Sequence, residues 1–387
     1  MDKIRVLVVD DSAVVRHLVT DVIGGDPTLD VVGTAANGQI AVDMVKRLNP
    51  DVITLDVEMP VMDGLATLAA LRELPTMPAV IMFSTLTARG ASATLEALSL
   101  GAADYVTKPE GVSGIAEAKD IVRAQLLPKI RALAIRRGLA VTPQIASVVS
   151  TTANDAEPQQ RFERAPLRPN VGGAAVTPRA PRERIDIIAI GVSTGGPNAL
   201  ALLIPQIPAN IGVPIVVVQH MPPLFTKLLA ERLDVKSSVH VVEATDGLAL
   251  EAGMVAIAPG NFHMEVHGSA TSPRIKLNQE PPENSCRPAV DVLFRSVARI
   301  YESHVLALVL TGMGHDGADG CHDFKMRGSY VAVQDEASSI VWGMPGAVVA
   351  NNEADAILPL AEIADFLIRC AGNNRTGASA RLRSEGA

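Results

Sequence analysis

Short apolar runs alternate with stretches of helical spacing in two separate parts of this chain of 387 residues. Each run is long enough for one buried strand, and in stretches such as 13–23 the apolar residues recur every three or four positions. The clearest runs occupy residues 4–9, 51–56, 78–84, 185–192, 213–219, 254–258 and 305–311. This alternation predicts βαβ units, and therefore an α/β fold with two doubly wound, mostly parallel sheets.

The two parts are separated by a segment that has no periodicity. Residues 142–184 contain six prolines among Ala, Thr, Gln and Arg, a composition typical of linkers. The residues after Cys370 are mostly small and polar, which predicts a disordered tail. We therefore expect a first domain, a helix end with a Pro/Ala-rich linker, a second domain and a tail, at residues 1–125, 126–184, 185–370 and 371–387.

Charge and cysteine content argue against several classes of protein. The formal net charge is -8, so the chain has no general attraction for nucleic acid. The three cysteines, Cys286, Cys321 and Cys370, have no C-x-x-C spacing and no obvious partner, which argues against a disulfide framework and suits a reducing cytoplasm. Because no apolar run approaches the ~20 residues that span a bilayer, we expect no membrane insertion.

Three carboxylates follow strands in the first part of the chain. Asp10 and Asp11 come directly after the run 4–9, and Asp56 ends the run 51–56. Residues just past the carboxyl ends of parallel strands meet in one crevice, and carboxylates so close together repel each other unless a cation lies among them. Oxygen ligands of this kind favour Mg²⁺, so the sequence predicts a magnesium site at this edge of the sheet.

Two further side chains are expected at the same edge. Lys108 follows the strand-like residues 103–106, and Ser84 ends the run 78–84. A metal and a lysine that neutralise charge, a serine that contacts an oxygen and one aspartate as acceptor together suit phosphoryl transfer. Each aspartate taken alone has an alternative interpretation, because aspartates often end strands and cap helices. The five positions taken together favour the phosphoryl-transfer site.

These residues resemble the receiver domain of response regulators over residues 1 to about 125. Residues 55–64, LDVEMPVMDG, match the phosphoacceptor segment of that family, and residues 107–109, TKP, match its conserved lysine turn. The resemblance implies a flavodoxin-like (βα)5 fold, phosphorylation of the aspartate in the segment by a sensor histidine kinase of the chemotaxis type, and a bound Mg²⁺. The residues to which it assigns roles are Asp56 as phosphoacceptor, Asp10, Asp11, Asp56 and the Glu58 carbonyl around Mg²⁺, Lys108 beside the phosphoryl group, and Ser84 with Tyr105 as the switch pair.

The second part of the chain is dominated by the sequence GVSTGGP at residues 191–197. It joins an apolar run to a helical pattern and fits the G-x-S-x-G elbow, in which glycines permit a sharp turn that exposes the hydroxyl of Ser193. The main alternative is an anion-binding turn at a helix N-terminus. Against that alternative, no P-loop lysine is present, and the next strand ends in Gln219 and His220 rather than in the acidic residue expected at a dinucleotide ribose.

A nucleophilic serine needs a base, and the base needs a group that orients it. His220 directly follows the run 213–219, and Asp316 follows the run 305–311, so both are expected at the same sheet edge as Ser193. His315 and Asp319 are adjacent competitors that the sequence alone does not dismiss. The remaining histidines lack ligand spacing and indicate no metal site.

Residues 185 to 367 resemble the catalytic domain of the chemotaxis protein-glutamate methylesterases, the CheB family. The matching segments are STGGP at 193–197, QHMP at 219–222, APG at 258–260, RPAVDVLF at 287–294, TGMGHDG at 311–317 and GMPG at 343–346. The resemblance implies Ser193 as nucleophile, His220 as general base and Asp316 as orienting carboxylate. It also implies hydrolysis of γ-glutamyl methyl esters on methylated chemoreceptors to glutamate and methanol, deamidation of receptor glutamines, and no cofactor for the ester step.

We add two expectations about mechanism. The backbone N–H groups of Thr194 and Met313 are predicted to form the oxyanion hole. Before phosphorylation, the first domain is expected to pack over the crevice that holds Ser193, and phosphorylation of Asp56 is expected to weaken this contact. Two other functions remain open: a DNA-binding response regulator, for which the second part lacks a basic helix-turn-helix, and a degenerate esterase that acts as a phosphorylation-dependent binding module.

Overall fold

The computed structural model describes residues 3–109, 111, 114–136, 181 and 183–384, and of residues 373–384 it describes only the backbone helix. Most of the predicted linker, residues 137–180, lies outside this range. The described residues form two parallel sheets and one antiparallel hairpin. The predicted α/β class with a mostly parallel sheet in each part is therefore confirmed.

The first sheet has five parallel strands in the order β2-β1-β3-β4-β5, which is the flavodoxin-like order predicted above. Four of its strands, β1, β3, β4 and β5, are mostly buried, whereas the edge strand β2 is buried only at its two ends. The elements are β1 (Ile4–Val9), α1 (Ala13–Gly24), β2 (Leu29–Ala35), α2 (Gly38–Leu48), β3 (Val52–Asp56), α3 (Gly64–Arg72), β4 (Ala79–Ser84), α4 (Ala88–Ser99), β5 (Asp104–Thr107) and α5 (Ile115–Arg136).

Local sequence explains where the helices of this part begin. Ser12, Asn37, Asp63 and Thr87 each precede a helix, and their side-chain oxygens accept hydrogen bonds from the N–H group three residues later. These caps satisfy donors that have no partner inside the helix. Because α1 begins immediately after β1, the turn between them holds Asp10 and Asp11 at the carboxyl end of the strand.

The second sheet has seven strands in the order β14-β13-β12-β6-β7-β9-β8, and every pairing in it is parallel. The elements are β6 (Ile187–Val192), α6 (Gly196–Leu203), a turn of 3-10 helix (Ile204–Gln206), β7 (Ile215–Gln219), α7 (Phe225–Lys236), β8 (His240–Glu243), β9 (Met254–Ile257), β10 (His263–Ser269), β11 (Ser272–Asn278), α8 (Val290–Tyr301), β12 (Val305–Val309), α9 (Ala318–Met326), β13 (Tyr330–Gln334), α10 (Met344–Ala350), β14 (Ala356–Leu358) and α11 (Leu360–Ser384).

The strand order reverses at the centre of this second sheet. The chain moves from β6 to β7 on one side and later returns to place β12 on the other side of β6. In doubly wound sheets the crevice at such a switch point is where ligands bind. The residues that follow β6, β7 and β12 are therefore brought to one crevice, as the sequence predicted for Ser193, His220 and Asp316.

A glycine lets helix α8 approach β6 closely. Gly191 on β6 faces Val290 at the start of α8, and a Cβ at position 191 would lie 2.4 Å from a methyl group of Val290. Only a residue without a side chain allows this separation. The contact fixes the N-terminus of α8 beside the strand that leads to Ser193.

The two sheets are connected by direct packing of their helices. Helix α4 lies against α6 and α7. The ring of Tyr105 stacks on Phe225 with centroids 4.9 Å apart and an angle of 5° between the planes. Asn198 donates a hydrogen bond of 3.2 Å to the carbonyl of Ala102. The first domain therefore covers the surface of the second that carries α6 and α7.

The C-terminal helix continues beyond the predicted end of the second domain. Helix α11 runs from Leu360 to Ser384 and so extends into residues 371–387, for which the sequence led us to expect disorder. The segment contains several Ala and Arg residues, which have high intrinsic helix propensity. Among the helices of the described residues, none combines the length and the apolar character required to cross a bilayer.

Gly191→Ala is expected to destabilise the second domain by about 1–3 kcal/mol, because the added methyl group overpacks the contact with Val290. The measurement is urea denaturation followed by the fluorescence of Trp342, the only tryptophan of the chain. Gly372→Ala is the matched control: no atom lies within 4 Å of a Cβ at that helical position, so no loss of stability is expected. Equal denaturation midpoints for the two variants would contradict the packing argument.

Candidate functional site

Ser193 and His220 each follow one of two residues that are paired in register on neighbouring strands. Val192, the last residue of β6, is paired with Gln219, the last residue of β7, so the next residue on each strand is Ser193 or His220. The N–H of His220 donates to the carbonyl of Val192 at 3.1 Å. The parallel register therefore places these two residues side by side at the sheet edge.

A tight turn carries the chain from Ser193 into helix α6. Gly195 has a φ of +77°, a backbone conformation that residues with a Cβ rarely adopt, and Gly196 begins the helix. The side-chain amide of Gln219 donates to the carbonyl of Ser193 at 2.9 Å and fixes the turn to the neighbouring strand. The glycines of the predicted elbow thus have the geometrical role expected of them.

His220 is hydrogen-bonded to Asp316. The distance from Nε2 of His220 to Oδ2 of Asp316 is 2.8 Å, and both side chains are largely buried. His315 and Asp319, the competitors left open by the sequence, are exposed and make no hydrogen bond to His220. Of the three candidates after β12, Asp316 is the one that the structure brings to the histidine.

The N-terminus of α8 holds the Asp316 carboxylate. Its Oδ2 accepts the N–H of Val290 at 2.7 Å, and its Oδ1 accepts the N–H of Asp291 at 3.0 Å and the side-chain amide of Asn284 at 2.9 Å. N–H groups in the first turn of a helix have no partner within the helix and attract negative charge. Hydrogen bonds therefore hold both oxygens of the carboxylate in place, and its hydrogen bond to His220 in turn orients the imidazole.

These contacts determine the charge state of the pair. Burial opposes ionisation of Asp316, but the hydrogen bonds from His220, Val290 and Asp291 hold its pKa well below the usual range. Burial favours the neutral form of His220, yet the hydrogen bond to Asp316 and the contact with Cys286 raise its pKa to about 9. The site therefore combines a carboxylate that stays ionised with an imidazole that binds its proton tightly.

The hydroxyl of Ser193 makes no hydrogen bond to any side chain that the structure describes, so the role of His220 as its general base stays a prediction. Such bonds are often long in ligand-free sites and tighten when substrate binds. The N–H groups of Thr194 and Met313 also donate to no described acceptor. A Cβ at Gly312 would lie 2.9 Å from Cβ of Ser193, so the backbone just before Met313 passes close to the serine.

Three residues that the sequence argument did not assign surround the pair. Sγ of Cys286 lies 3.6 Å from Nδ1 of His220. The Asn284 amide bridges Asp316 and Asp291, and the pKa of buried Asp291 is raised by burial and by the charge of Asp316. Asp291 lies in the RPAVDVLF segment that was singled out by resemblance, but no local pattern indicated a role for it or for the loop residues before it.

At the edge of the first sheet, Lys108 lies between two of the predicted carboxylates. Its Nζ is 2.9 Å from Oδ2 of Asp10 and 2.9 Å from Oδ2 of Asp56. Burial lowers the pKa of Lys108, but the two carboxylates raise it above its usual value. Burial raises the pKa of Asp56 to about 6 against the opposing effect of Lys108. All three side chains therefore meet where the sequence predicted.

The carboxylates of this edge fit a divalent cation. Ligand oxygens of Asp10, Asp11 and Asp56 lie within 4.8 Å of one another. Oδ2 of Asp10 is buried and makes ionic contact with Lys108 but no well-aligned hydrogen bond, so it retains a lone pair for another cation. Asp11 and Glu58 both line a cavity of about 570 Å³ at this edge. Oxygen ligands of this kind are those that Mg²⁺ prefers.

The predicted switch pair lies on the neighbouring strands. Ser84 is fully buried at the end of β4, and its hydroxyl donates to the carbonyl of Thr85. Ser84 is paired in register with Thr107 on β5. Tyr105, on the same strand, is buried against Phe225 of the second domain. One strand, β5, therefore connects the carboxylate edge with the contact between the domains.

The first domain also lines the crevice that holds His220. A cavity of about 610 Å³ has one wall from β5 and α5 and another from the loops that follow β7 and precede α8. Tyr105, Thr107 and Lys129 line it on one side, and His220 and Cys286 on the other. Access to His220 from this direction is therefore bounded by the first domain.

Comparisons with known proteins match two parts of the chain to two different families. Residues 188–367 match the family described as CheB methylesterase, and residues 6–119 match the response regulator receiver domain. Two Thermotoga maritima structures are similar to parts of the chain. The CheB methylesterase catalytic domain is 43% identical, with a TM-score of 0.47, and covers 48% of this chain and 99% of that one. The response regulator domain of CheB is 42% identical, with a TM-score of 0.31, and covers 36% and 99%.

Relatives named protein-glutamate methylesterase/protein-glutamine glutaminase extend over nearly the whole chain. One from Nocardioides sp. is 48% identical over 369 residues, which are 95% of this chain and 96% of the relative. Another from Trichodesmium erythraeum is 46% identical over 373 residues, which are 96% of this chain and 100% of the relative. With this identity over nearly its full length, and with one match to a receiver domain and one to a CheB methylesterase domain, the chain belongs to the protein-glutamate methylesterase/protein-glutamine glutaminase family.

Proposed function

We propose that this protein is a phosphorylation-activated hydrolase that converts γ-glutamyl methyl esters of chemoreceptors to glutamate and methanol, and that it also deamidates receptor glutamines. The observation that carries the proposal is the hydrogen bond of 2.8 Å between His220 and Asp316, at a sheet edge where the register places Ser193 next to His220. A serine beside a histidine that is oriented by a buried carboxylate is the arrangement for acyl transfer.

In the first step the hydroxyl of Ser193 attacks the ester carbonyl. Nε2 of His220 is bonded to Asp316, so Nδ1 is the nitrogen that receives the serine proton. Asp316 stays ionised and stabilises the imidazolium that forms. Since two N–H groups of α8 hold the carboxylate, no reorganisation of this partner is needed when the proton moves.

The negative charge that develops on the carbonyl oxygen requires donors. The N–H groups of Thr194 and Met313 are the candidates, because Thr194 directly follows Ser193, Met313 follows the backbone of Gly312 that passes close to Ser193, and neither N–H donates to a described acceptor. The imidazolium of His220 then protonates the departing methoxide, which leaves as methanol. Water, deprotonated by the same imidazole, hydrolyses the acyl-enzyme to glutamate and free Ser193. With a glutamine substrate, ammonia leaves in place of methanol.

We further propose that the edge of the first sheet is the phosphorylation site, with Asp56 as the acceptor. Asp10, Asp11, Asp56 and the carbonyl of Glu58 would hold Mg²⁺, which supplies charge neutralisation for the transferred phosphoryl group. Lys108 contacts both Asp10 and Asp56, so its ammonium is in reach of a phosphoryl oxygen on Asp56. Ser84 offers a buried hydroxyl on the neighbouring strand.

Coupling between the two sites is proposed to run through the domain contact. In the unphosphorylated protein the first domain lines the crevice of His220 and restricts access by a receptor segment. Phosphorylation of Asp56 draws Lys108 and Ser84 toward the new charge, and a shift of β5 changes the stack of Tyr105 on Phe225. The fraction of molecules in which the crevice is open then increases.

The proposed partners are a sensor histidine kinase of the chemotaxis type and methylated chemoreceptors. We also propose a cytoplasmic location, because the three cysteines are free thiols and suit a reducing compartment.

Ser193→Ala is expected to lower methanol release from methylated receptor membranes by about 10⁴-fold or more, because the nucleophile is lost. His315→Ala is the matched control and is expected to retain activity close to wild type, because this exposed neighbour of Asp316 makes no hydrogen bond to His220. Labelling by a fluorophosphonate probe gives a second readout. If no variant, including the wild type, reacts with the probe or releases methanol, the binding-module alternative replaces the enzyme.

Asp56→Asn is expected to abolish the increase in methanol release that a small phosphodonor with Mg²⁺ produces in the wild type. If the phosphodonor stimulated Asp56→Asn as much as the wild type, Asp56 would not be the phosphoacceptor.

Tyr105→Ala is expected to raise hydrolysis without phosphodonor by about 2- to 10-fold, since an aromatic stack contributes roughly 0.5–1.5 kcal/mol and tenfold corresponds to 1.36 kcal/mol. Unchanged basal activity in Tyr105→Ala would show that the stack of Tyr105 on Phe225 does not restrict hydrolysis.

The pH dependence of kcat/KM should report the pKa of His220. The imidazole accepts a proton only when it is neutral, so with a pKa of about 9 the value of kcat/KM rises with pH, is half-maximal near pH 9 and levels off above it. Cys286 contributes to raising this pKa, so Cys286→Ser should move the rise to lower pH, whereas Cys370→Ser should leave it in place. The measurement is kcat/KM between pH 6 and 10. On the rising limb, kcat/KM is expected to increase roughly tenfold per pH unit.

A further inference from the structure

The thiol of Cys286 and the imidazole of His220 are spaced like two ligands of one metal ion. Sγ of Cys286 lies 3.6 Å from Nδ1 of His220. Zinc binds thiolate sulfur at about 2.3 Å and imidazole nitrogen at about 2.0–2.1 Å in tetrahedral sites. Two such bonds at the tetrahedral angle separate sulfur and nitrogen by about 3.5 Å. The pair therefore needs almost no movement to hold Zn²⁺.

The other nitrogen of His220 has the partner that metal-bound histidines require. Nε2 is bonded to Oδ2 of Asp316 at 2.8 Å, which leaves Nδ1 as the nitrogen that faces the thiol. Histidines that ligate a metal almost always donate their other N–H to a carboxylate or a carbonyl. Asp316 is saturated by four hydrogen bonds, so it acts as this outer partner and not as a third ligand.

The charge around the pair also suits a divalent cation. A Cys286 thiolate and the Asp316 carboxylate together carry two negative charges, which one Zn²⁺ neutralises. The guanidinium of Arg287, which lines the same cavity, donates to Asn261 and to the carbonyls of residues 279 and 280, so it is engaged elsewhere. Lys129, on the opposite wall of the cavity, is paired with Asp104. The cavity of about 610 Å³ leaves room for water in the remaining coordination positions.

We propose that Cys286 and His220 form a binding site for Zn²⁺ that inhibits the hydrolase. Binding releases the thiol proton to solvent and forms a bond from the thiolate sulfur and a bond from the Nδ1 lone pair to the metal. That lone pair is then unable to accept the proton of Ser193. The inhibition rests on the function proposed above, whereas the metal binding does not.

Mg²⁺ does not compete for this site. It is a hard cation that prefers oxygen ligands, so it occupies the carboxylate edge of the first domain and leaves a thiolate-imidazole pair to zinc. The two domains thus discriminate between two divalent ions by the type of ligand atom. This difference allows the zinc site to be measured while the magnesium site is filled.

The binding test uses the full chain, freed of metal by a chelator and then held in excess Mg²⁺. Titration with Zn²⁺ is followed by calorimetry, and titration with Co²⁺ is followed by the thiolate-to-cobalt absorption band. The wild type is expected to bind one zinc that Cys286→Ser binds at least tenfold more weakly, with loss of the cobalt band. Cys370→Ser is the matched control and keeps both signals. Equal zinc affinity and an equal band in Cys286→Ser would overturn the site.

The activity test separates this site from the function itself. Methanol release with and without Zn²⁺ is compared as a ratio within each variant, and the ratio is expected to fall for the wild type and Cys370→Ser but not for Cys286→Ser. Equal inhibition of Cys286→Ser would overturn the inhibitory role. Ser193→Ala, which should lack hydrolysis, is expected to keep the cobalt band. A protein that shows the band but never releases methanol would refute the hydrolase and leave the metal site standing.

Discussion

The carboxylate of Asp316 is the group on which the arrangement of the candidate site in the second domain depends. A buried carboxylate without donors is very costly, and here two N–H groups at the start of α8, the amide of Asn284 and the ring of His220 supply four hydrogen bonds. The same bonds satisfy N–H groups that the helix itself leaves free. The loop after β12, helix α8 and the histidine after β7 are therefore held together by one charge, and the close approach of α8 to Gly191 is part of the same arrangement.

The first domain uses the opposite arrangement, with one cation between carboxylates. Lys108 lies 2.9 Å from both Asp10 and Asp56, and any new charge on Asp56 changes the position that is most favourable for its ammonium. Lys108 follows β5 directly, and Tyr105 lies three residues earlier on the chain, in contact with Phe225. A change of charge at Asp56 therefore acts on a residue next to β5, and β5 carries Tyr105, which lines the cavity at His220.

The sequence placed the site residues correctly at strand ends because residues that follow parallel strands must lie at one edge of a sheet. It did not identify Cys286, Asn284 or Asp291 as neighbours of the histidine. These residues lie in a loop and in the first turn of a helix, and no periodicity connects them to a strand 65 or more positions away in the chain. Nor did it predict strands such as β13, whose apolar run is short and follows a helix closely.

What the sequence determined by itself was the alternation of strands and helices, the two-part organisation and the identity of the side chains at each sheet edge, because these follow from local periodicity and from the polarity of parallel strands. Only the tertiary structure decided that Asp316, and not His315 or Asp319, meets the imidazole, and that a thiol lies beside Nδ1 of that ring. The physical reason is that hydrogen-bond partners of a buried group depend on distances between loops, which chain order does not encode.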